Sequence, residues 1–176
     1  MAIKVLILTL LICAATSCNP GSEKRENRAG PGKNEMADLN RYFVQKDRER
    51  IGNYIERKDL KMTESPTGLW YFIEEVGQGS FPGDNDRVVM EYECSLLDGT
   101  VCYTSGKDGV KDIILGRSTI EAGLNQGLRM LRTGGKAMFI IPPFLAYGLT
   151  GDGKKIPPRS VLVYSIKIIE VQKHME

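Results

Sequence analysis

The stretch Leu131-Arg-Thr-Gly-Gly-Lys-Ala-Met-Phe-Ile-Ile-Pro-Pro-Phe-Leu-Ala-Tyr-Gly148 holds a Gly-Gly turn, an apolar run, two prolines and then an Ala-Tyr-Gly sequence. A short apolar run between turn residues is typical of a strand. A few residues later, Ile156-Pro157-Pro158 precedes a second strand-like run at residues 161–169. A tyrosine between alanine and glycine in a proline-flanked loop has little packing reason to be there. We therefore interpret Tyr147 as a functional residue.

The chain before this stretch is predicted to form short strands and one helix. An Asp98-Gly99 pair is a hairpin turn signal. A single helix is predicted at residues 120–131, because apolar residues fall on one face and Gly134 follows. Many strands and one helix predict an α+β domain with a largely antiparallel sheet folded over the helix. The predicted strands are residues 69–76, 87–97, 100–103 and 113–116, with two more around Phe139 and Leu162.

Length and charge restrict the class of protein. With 176 residues the chain has room for one domain of about 100–150 residues plus appendages. The net charge is +2, from 24 basic and 22 acidic residues, and no basic stripe predicts nucleic-acid binding. The single histidine, His174, lies third from the end, which argues against a metal site built on histidine clusters.

The first 17 residues have the pattern of an export signal. A lysine near the start precedes an apolar segment that is short for a membrane span. Small residues then precede Cys18, which resembles the bacterial lipobox, although Ala15 stands where leucine is usual. That resemblance implies lipidation of Cys18, and an ordinary secretory signal is the alternative. Asn19 rather than aspartate after the cysteine favours the outer membrane, facing the periplasm.

Two segments precede the main domain. Residues 18–35 contain glycine, proline and charged residues, which predicts a flexible tether. Residues 36–60 carry apolar residues at intervals of three and four, which predicts one or two short amphipathic helices with a break at Gly52. This extension is either a dimerisation helix or a helix that packs against its own domain. The short, interrupted stripe favours the second interpretation and a monomer.

The order of these elements resembles the FKBP-type peptidyl-prolyl cis-trans isomerases. The resemblance covers residues 67–171, within a predicted domain at 61–176, and rests above all on Ala146-Tyr147-Gly148 and Ile156-Pro157-Pro158. The chain looks closest to the exported lipoprotein isomerases associated with bacterial gliding motility. The resemblance implies an FKBP-like antiparallel sheet wrapped around one short helix, and a site for proline-containing or unfolded envelope polypeptides.

The resemblance also implies the site residues. Tyr147 and Ile156 correspond to catalytic positions, together with Tyr92, and the Glu121 backbone amide corresponds to the group that meets a substrate carbonyl. Cys102-Tyr103 stands where the family usually has phenylalanine-aspartate, which puts macrolide binding and full catalysis in doubt. The complete substrate-binding set implied is Tyr92, Cys102, Tyr103, Ile120, Glu121, Leu124, Tyr147, Ile156 and Tyr164.

The implied reaction is rotation about an Xaa-Pro amide, whose barrier is about 20 kcal/mol. No bond breaks, so neither a cofactor nor a metal is required. A cleft that binds the twisted amide better than the planar forms is sufficient. The alternative is a non-catalytic chaperone or peptide-binding module on the same fold, which the Cys102-Tyr103 departure favours. Apart from Tyr147, each candidate residue also has a simple packing interpretation.

Two cysteines flank the predicted hairpin. If the hairpin has a three-residue loop with a bulge, Cys94 and Cys102 become cross-strand neighbours on the side of Tyr92. An oxidising periplasm then permits a disulfide between them. The alternative is two small buried thiols, because directly paired strand positions often strain the bridge.

Overall fold

A computed structural model of the chain describes residues 32–174, and residues 37–174 belong to one compact unit. The predicted signal peptide (1–17), Cys18 and the tether up to residue 31 lie outside the described residues. Within the described part, no helix has the length and hydropathy of a membrane span. The helices there are α1 (Lys33–Arg57), α2 (Ser105–Asp108) and α3 (Ala122–Leu128), with a 3-10 turn at Pro143–Leu145. The strands are β1 (Thr63–Glu64), β2 (Trp70–Glu75), β3 (Arg87–Leu96), β4 (Val101–Thr104), β5 (Lys111–Ile114), β6 (Lys136–Ile141) and β7 (Leu162–Gln172).

The described strands form one sheet, in which every pairing is antiparallel, as predicted. Its order is β1-β2-β6-β7-β3-β4, and β5 pairs with the first half of β3. Strand β3 therefore has β7 along one side and β5 and β4 along the other. Its residues alternate between the core and the opposite face, which is the period expected of a strand with one buried side. The core-facing residues of β3 are Val88, Met90, Tyr92 and Cys94.

Helix α3 lies against β6 because two glycines allow a very close approach. A Cβ atom at Gly127 would lie 2.7 Å from the ring of Phe139, and one at Gly123 would lie 2.5 Å from Ile141. The predicted helix at 120–131 is too long, since α3 covers only Ala122–Leu128. The apolar spacing nevertheless predicted the buried face of the helix correctly. Leu124, Leu128 and Leu131 are fully buried.

Helix α1 differs from its prediction in two ways. It begins at Lys33, so the last residues of the predicted tether are helical, and it continues through Gly52 without a break. A glycine inside a helix costs about 1 kcal/mol, which burial of the neighbouring Ile51 against β6 and β7 can offset. The helix ends where Asp59 adopts a left-handed conformation (φ 50°) and the Leu60 amide donates to the Ile55 carbonyl.

The second half of α1 packs against its own domain. Ile51 lies in a small apolar cluster with Ile140, Val161 and Val163. The buried carboxylate of Asp47 accepts a 3.1 Å hydrogen bond from Arg159. The guanidinium carbon of Arg159 also lies 3.6 Å from the centre of the Phe43 ring. These contacts agree with the second of the two interpretations of the extension.

Candidate functional site

The sheet and α3 bring all nine predicted substrate-binding residues together. Five are buried in the main apolar core, Glu121 is a buried charged residue, and three are half-buried residues that pack against the core. They come from strands β3, β4 and β7, from the start of α3 and from two loops, so only the folded chain assembles them. The buried members are Tyr92, Cys102, Glu121, Leu124, Ile156 and Tyr164, and the half-buried ones are Tyr103, Ile120 and Tyr147.

Two tyrosines on neighbouring strands form the aromatic walls of the candidate cleft. Tyr92 lies on β3 and Tyr164 on β7, where the register pairs Tyr92 with Ile166 and Cys94 with Tyr164. The two tyrosines are therefore diagonal neighbours on one face. Their ring centroids are 6.3 Å apart and the rings are tilted by 37°. Tyr92 is 7% exposed and Tyr164 is 1% exposed.

The Glu121 side chain is part of the cleft, whereas the sequence had pointed only to its backbone amide. Oε1 of Glu121 accepts a 2.6 Å hydrogen bond from the Tyr164 hydroxyl. Oε2 is buried and has no hydrogen-bond partner. Because its side chain turns toward Tyr164, Glu121 makes no side-chain cap to α3, although it precedes the first turn. Burial and the nearby carboxylate both raise the pKa of Tyr164.

Sequence reasoning missed Lys111, the first residue of β5. Its Nζ atom lies 5.0 Å from the ring centroid of Tyr92 and 5.5 Å from that of Tyr164. The same atom lies 3.9 Å from Oε2 of Glu121 and donates a 3.4 Å hydrogen bond to the Tyr164 hydroxyl. A cleft expected to be apolar therefore contains a lysine and a carboxylate. The signal that could have found Lys111 is its pairing with Met90, which puts it on the face that carries Tyr92.

Tyr147 and Ile156 belong to the loops between β6 and β7. Asp152 organises this region, because its Oδ1 accepts hydrogen bonds from the amides of Ile156 and Lys154, both at 2.8 Å. Ile156 is buried against the core, while Tyr147 stays half-buried. Burial raises the pKa of Tyr147, and the nearby Glu121 raises it further. Tyr147 thus keeps its proton at neutral pH and is available as a hydrogen-bond donor.

Tyr103 stands where the family usually has aspartate, and the carboxylate of another residue lies beside its hydroxyl. The Tyr103 hydroxyl donates a hydrogen bond to Asp152. This bond, followed by burial, raises the pKa of Tyr103 to about 12. Nζ of Lys155 lies 4.6 Å from the ring centroid of Tyr103. The neighbouring Cys102 is buried and its thiol points toward the carbonyl oxygen of Lys155.

The predicted direct pairing of Cys94 with Cys102 is wrong. The β3–β4 register pairs Cys94 with Tyr103 and Ser95 with Val101, so a bulge leaves Cys102 without a direct partner. Both thiols are free and buried in the same core. Burial raises the pKa of Cys94 to about 12 and also raises that of Cys102. The arrangement is the one expected of two packed thiols.

Known proteins share this fold and sequence pattern. Residues 78–169 match the family model of the FKBP-type peptidyl-prolyl cis-trans isomerases. A probable FKBP-type isomerase, FkpA of Neisseria meningitidis, is 38% identical over 112 residues, covering 64% of this chain and 40% of the relative. The Outer membrane protein MIP of Legionella longbeachae is 35% identical over 108 residues, covering 61% and 46%.

A solved structure agrees with the sequence matches. The crystal structure of FkpA from Escherichia coli superposes with a TM-score of 0.63 at 29% identity, and the match covers 81% of this chain and 74% of that one. The chain spans about half the length, or less, of the curated relatives it matches. The family model covers 92 of the 176 residues, including all nine residues of the candidate cleft and all of β3, α3 and β6. The chain therefore belongs to the FKBP-type peptidyl-prolyl cis-trans isomerase family.

Proposed function

We propose that this chain is a peptidyl-prolyl cis-trans isomerase that assists the folding of proline-containing polypeptides in the bacterial cell envelope. The observation that carries the proposal is the meeting of Tyr92, Leu124, Ile156 and Tyr164 in one core, with the phenol of Tyr147 beside it. A prolyl ring needs apolar and aromatic walls, and a twisted amide needs a donor for a neighbouring carbonyl.

The chemistry required of such a cleft is modest. A twisted amide loses resonance and part of its carbonyl dipole, so a site that excludes water favours it over the planar isomers. Leu124, Ile156 and the aromatic walls would supply that environment. The Tyr147 hydroxyl and the Glu121 amide would hold the carbonyls of the peptide in register. The raised pKa of Tyr147 supports its part, because a donor must remain protonated.

The location that we propose, the cell envelope, is supported by the amino-terminal sequence and by the name of one relative. Residues 1–17 would be removed as a signal peptide, Cys18 would carry lipid, and residues 19–32 would tether the folded unit to the outer membrane on the periplasmic side. The name of the Legionella relative, an outer membrane protein, supports an envelope location. A monomer is the state we propose, because part of the apolar surface of α1 is already buried against its own domain. The association with gliding motility stays a prediction.

A peptide-binding module without turnover is the second candidate. One observation favours it: tyrosine replaces the expected aspartate at position 103. A module of this kind would bind proline-containing segments but leave their isomer exchange unchanged.

The test compares isomerisation of short Xaa-Pro peptides by the chain from residue 19 onward and by two variants. We expect Tyr147→Phe to lower kcat/KM several-fold, because one phenol donor is lost from the site. Tyr54→Phe, on α1, is the matched control and should retain full activity. Equal rates for Tyr147→Phe and the unmodified protein would argue against the assigned role of this phenol. Peptide binding without any rate acceleration would favour the binding module.

A further inference from the structure

Lys111 lies where a substrate would have to go. Strand β5 pairs Lys111 with Met90, and Tyr92 follows two residues later on the same face of β3. The lysine therefore extends along the inner face of the sheet. Its ammonium group lies within 5.5 Å of both ring centroids and 3.9 Å from Oε2 of Glu121. Two aromatic faces and one buried carboxylate thus surround a cation that belongs to the chain itself.

The cleft is closed in this state. Tyr92 and Tyr164 are at most 7% exposed, and Leu124 has no exposed surface. A prolyl ring can pack against these walls only if they become accessible. The Lys111 side chain keeps 25% of its surface exposed, so part of it already faces solvent. Because its ammonium lies over both rings, a change of its rotamers would remove one of the groups that cover them.

The contacts of the Lys111 ammonium are weak enough for a bound ligand to displace it. A cation–π contact shifts an equilibrium by about 2- to 30-fold, depending on how well the pair is desolvated. The ion pair with Glu121 is long at 3.9 Å, and Oε2 of Glu121 makes no hydrogen bond. These contacts therefore favour the inward position of the Lys111 side chain, but the side chain can still leave it. The unsatisfied oxygen of Glu121 also becomes free to accept a hydrogen bond from a bound peptide.

We propose that Lys111 is an internal competitor for the prolyl ring. In the free protein its ammonium occupies the cleft, where the carboxylate of Glu121 attracts it. The ammonium moves to solvent when a peptide enters. The apparent affinity for a peptide is then lowered by the fraction of molecules that are open. This inference rests on the proposed function, since it concerns access to the same cleft.

The first test follows the lysine itself. In the chain from residue 19 onward, labelled with ¹³C-lysine, ring currents should shift the Cε protons of Lys111 upfield. Saturation with the peptide Ala-Leu-Pro-Phe should return them to ordinary lysine positions. Lys136, paired with Glu75 at 2.8 Å, is the control and should not move.

The outcomes of this titration separate the two proposals. If the aromatic protons of Tyr147 respond to the peptide while Lys111 keeps its shifted signals, the competitor idea is wrong and the proposed function stands. If no signal of the cleft responds at saturating peptide, both the proposed function and the competitor idea fail.

The second test removes the competitor. Lys111→Ala should raise the affinity for Ala-Leu-Pro-Phe about 3- to 10-fold, because the cleft is then open in every molecule. The change leaves Glu121 buried without its cation, so the double variant Lys111→Ala/Glu121→Gln keeps the test valid if the single variant does not fold. Lys136→Leu should bind the peptide like the unmodified protein. Unchanged or weaker affinity in a folded variant lacking Lys111 would overturn the proposal.

Discussion

The hydroxyl of Tyr164 donates a 2.6 Å hydrogen bond to Oε1 of Glu121, and this pair joins β7 to the start of α3. Both residues are buried, so neither partner can exchange the bond for water. A buried acceptor that loses its donor costs about 1–3 kcal/mol. The pair therefore stabilises the fold and also shapes the cleft.

Removing the phenol should show this stabilisation directly. We expect Tyr164→Phe to lower the free energy of unfolding in urea by about 1–3 kcal/mol, because Oε1 of Glu121 remains buried without a donor. The double variant Tyr164→Phe/Glu121→Leu should recover part of the loss, since no unpaired carboxylate is left. If the single variant is as stable as the unmodified protein, the pair does not stabilise the fold.

The contact between α3 and β6 predicts opposite effects for two helical glycines. Gly127→Ala should lower the free energy of unfolding by about 1–3 kcal/mol, because its Cβ would lie 2.7 Å from the Phe139 ring. Gly52→Ala, on α1, meets no atom within 4 Å and should be neutral or stabilising by up to about 1 kcal/mol. Urea unfolding of both variants checks the pair, and equal effects would contradict the packing described for α3.

The lowered pKa of the buried Asp86 carboxylate predicts that the protein loses stability in acid. Burial alone would raise the pKa of its carboxylate, but hydrogen bonds from the Gly83 amide, Lys173 and the His174 amide outweigh it and lower the pKa to about 2. A carboxylate with a lowered folded-state pKa contributes stability above its unfolded pKa, near 4. That contribution should disappear as the pH falls from about 4 through 2.

The comparison of Asp86→Asn with the unmodified protein isolates this contribution. The variant should lose roughly 1–2 kcal/mol at pH 7 and show a flatter dependence of unfolding free energy on pH between 4 and 2. Parallel curves for the two proteins over that interval would mean that Asp86 is not the group responsible.

The two described cysteines should resist both oxidation and alkylation. The thiolate is the reactive form, and burial raises the pKa of Cys94 to about 12. We expect the intact mass of the unreduced protein to correspond to two free thiols besides Cys18. Iodoacetamide at pH 8 should label Cys94 only after denaturation. A mass lower by two hydrogens would instead indicate the disulfide that the sequence allowed.

The periodicity of the chain was sufficient to predict the sheet and its one core helix. Short apolar runs between turn residues predicted the strands, and the spacing of Leu124, Leu128 and Leu131 identified the face of the helix that is buried. The helix ends were missed because they depend on tertiary contacts. Glu121 turns its side chain to Tyr164 on a distant strand, and no local signal indicates that partner.

The charged residues of the cleft and the pairing of the cysteines could not be predicted without the register between strands. Lys111 stands between Val110 and Asp112, shortly after a polar turn, so its sequence neighbours suggest a solvated lysine. Only the pairing with Met90 places it on the inner face of the sheet. The bulge between Cys94 and Ser95 shifts β4 by one residue, and such a shift changes every direct neighbour. The predicted break at Gly52 failed because burial of Ile51 stabilises the helix there.

The most direct test of the central claim is the rate of cis-trans exchange of short Xaa-Pro peptides, measured by NMR with the folded chain from residue 19 onward. Uncatalysed exchange takes tens of seconds or longer, so acceleration is easily resolved. We predict acceleration for several Xaa residues, reduced at least several-fold in Ile156→Ala because one apolar wall is lost. An exchange rate equal to that of peptide alone, from a demonstrably folded sample, would contradict the assignment of isomerase activity.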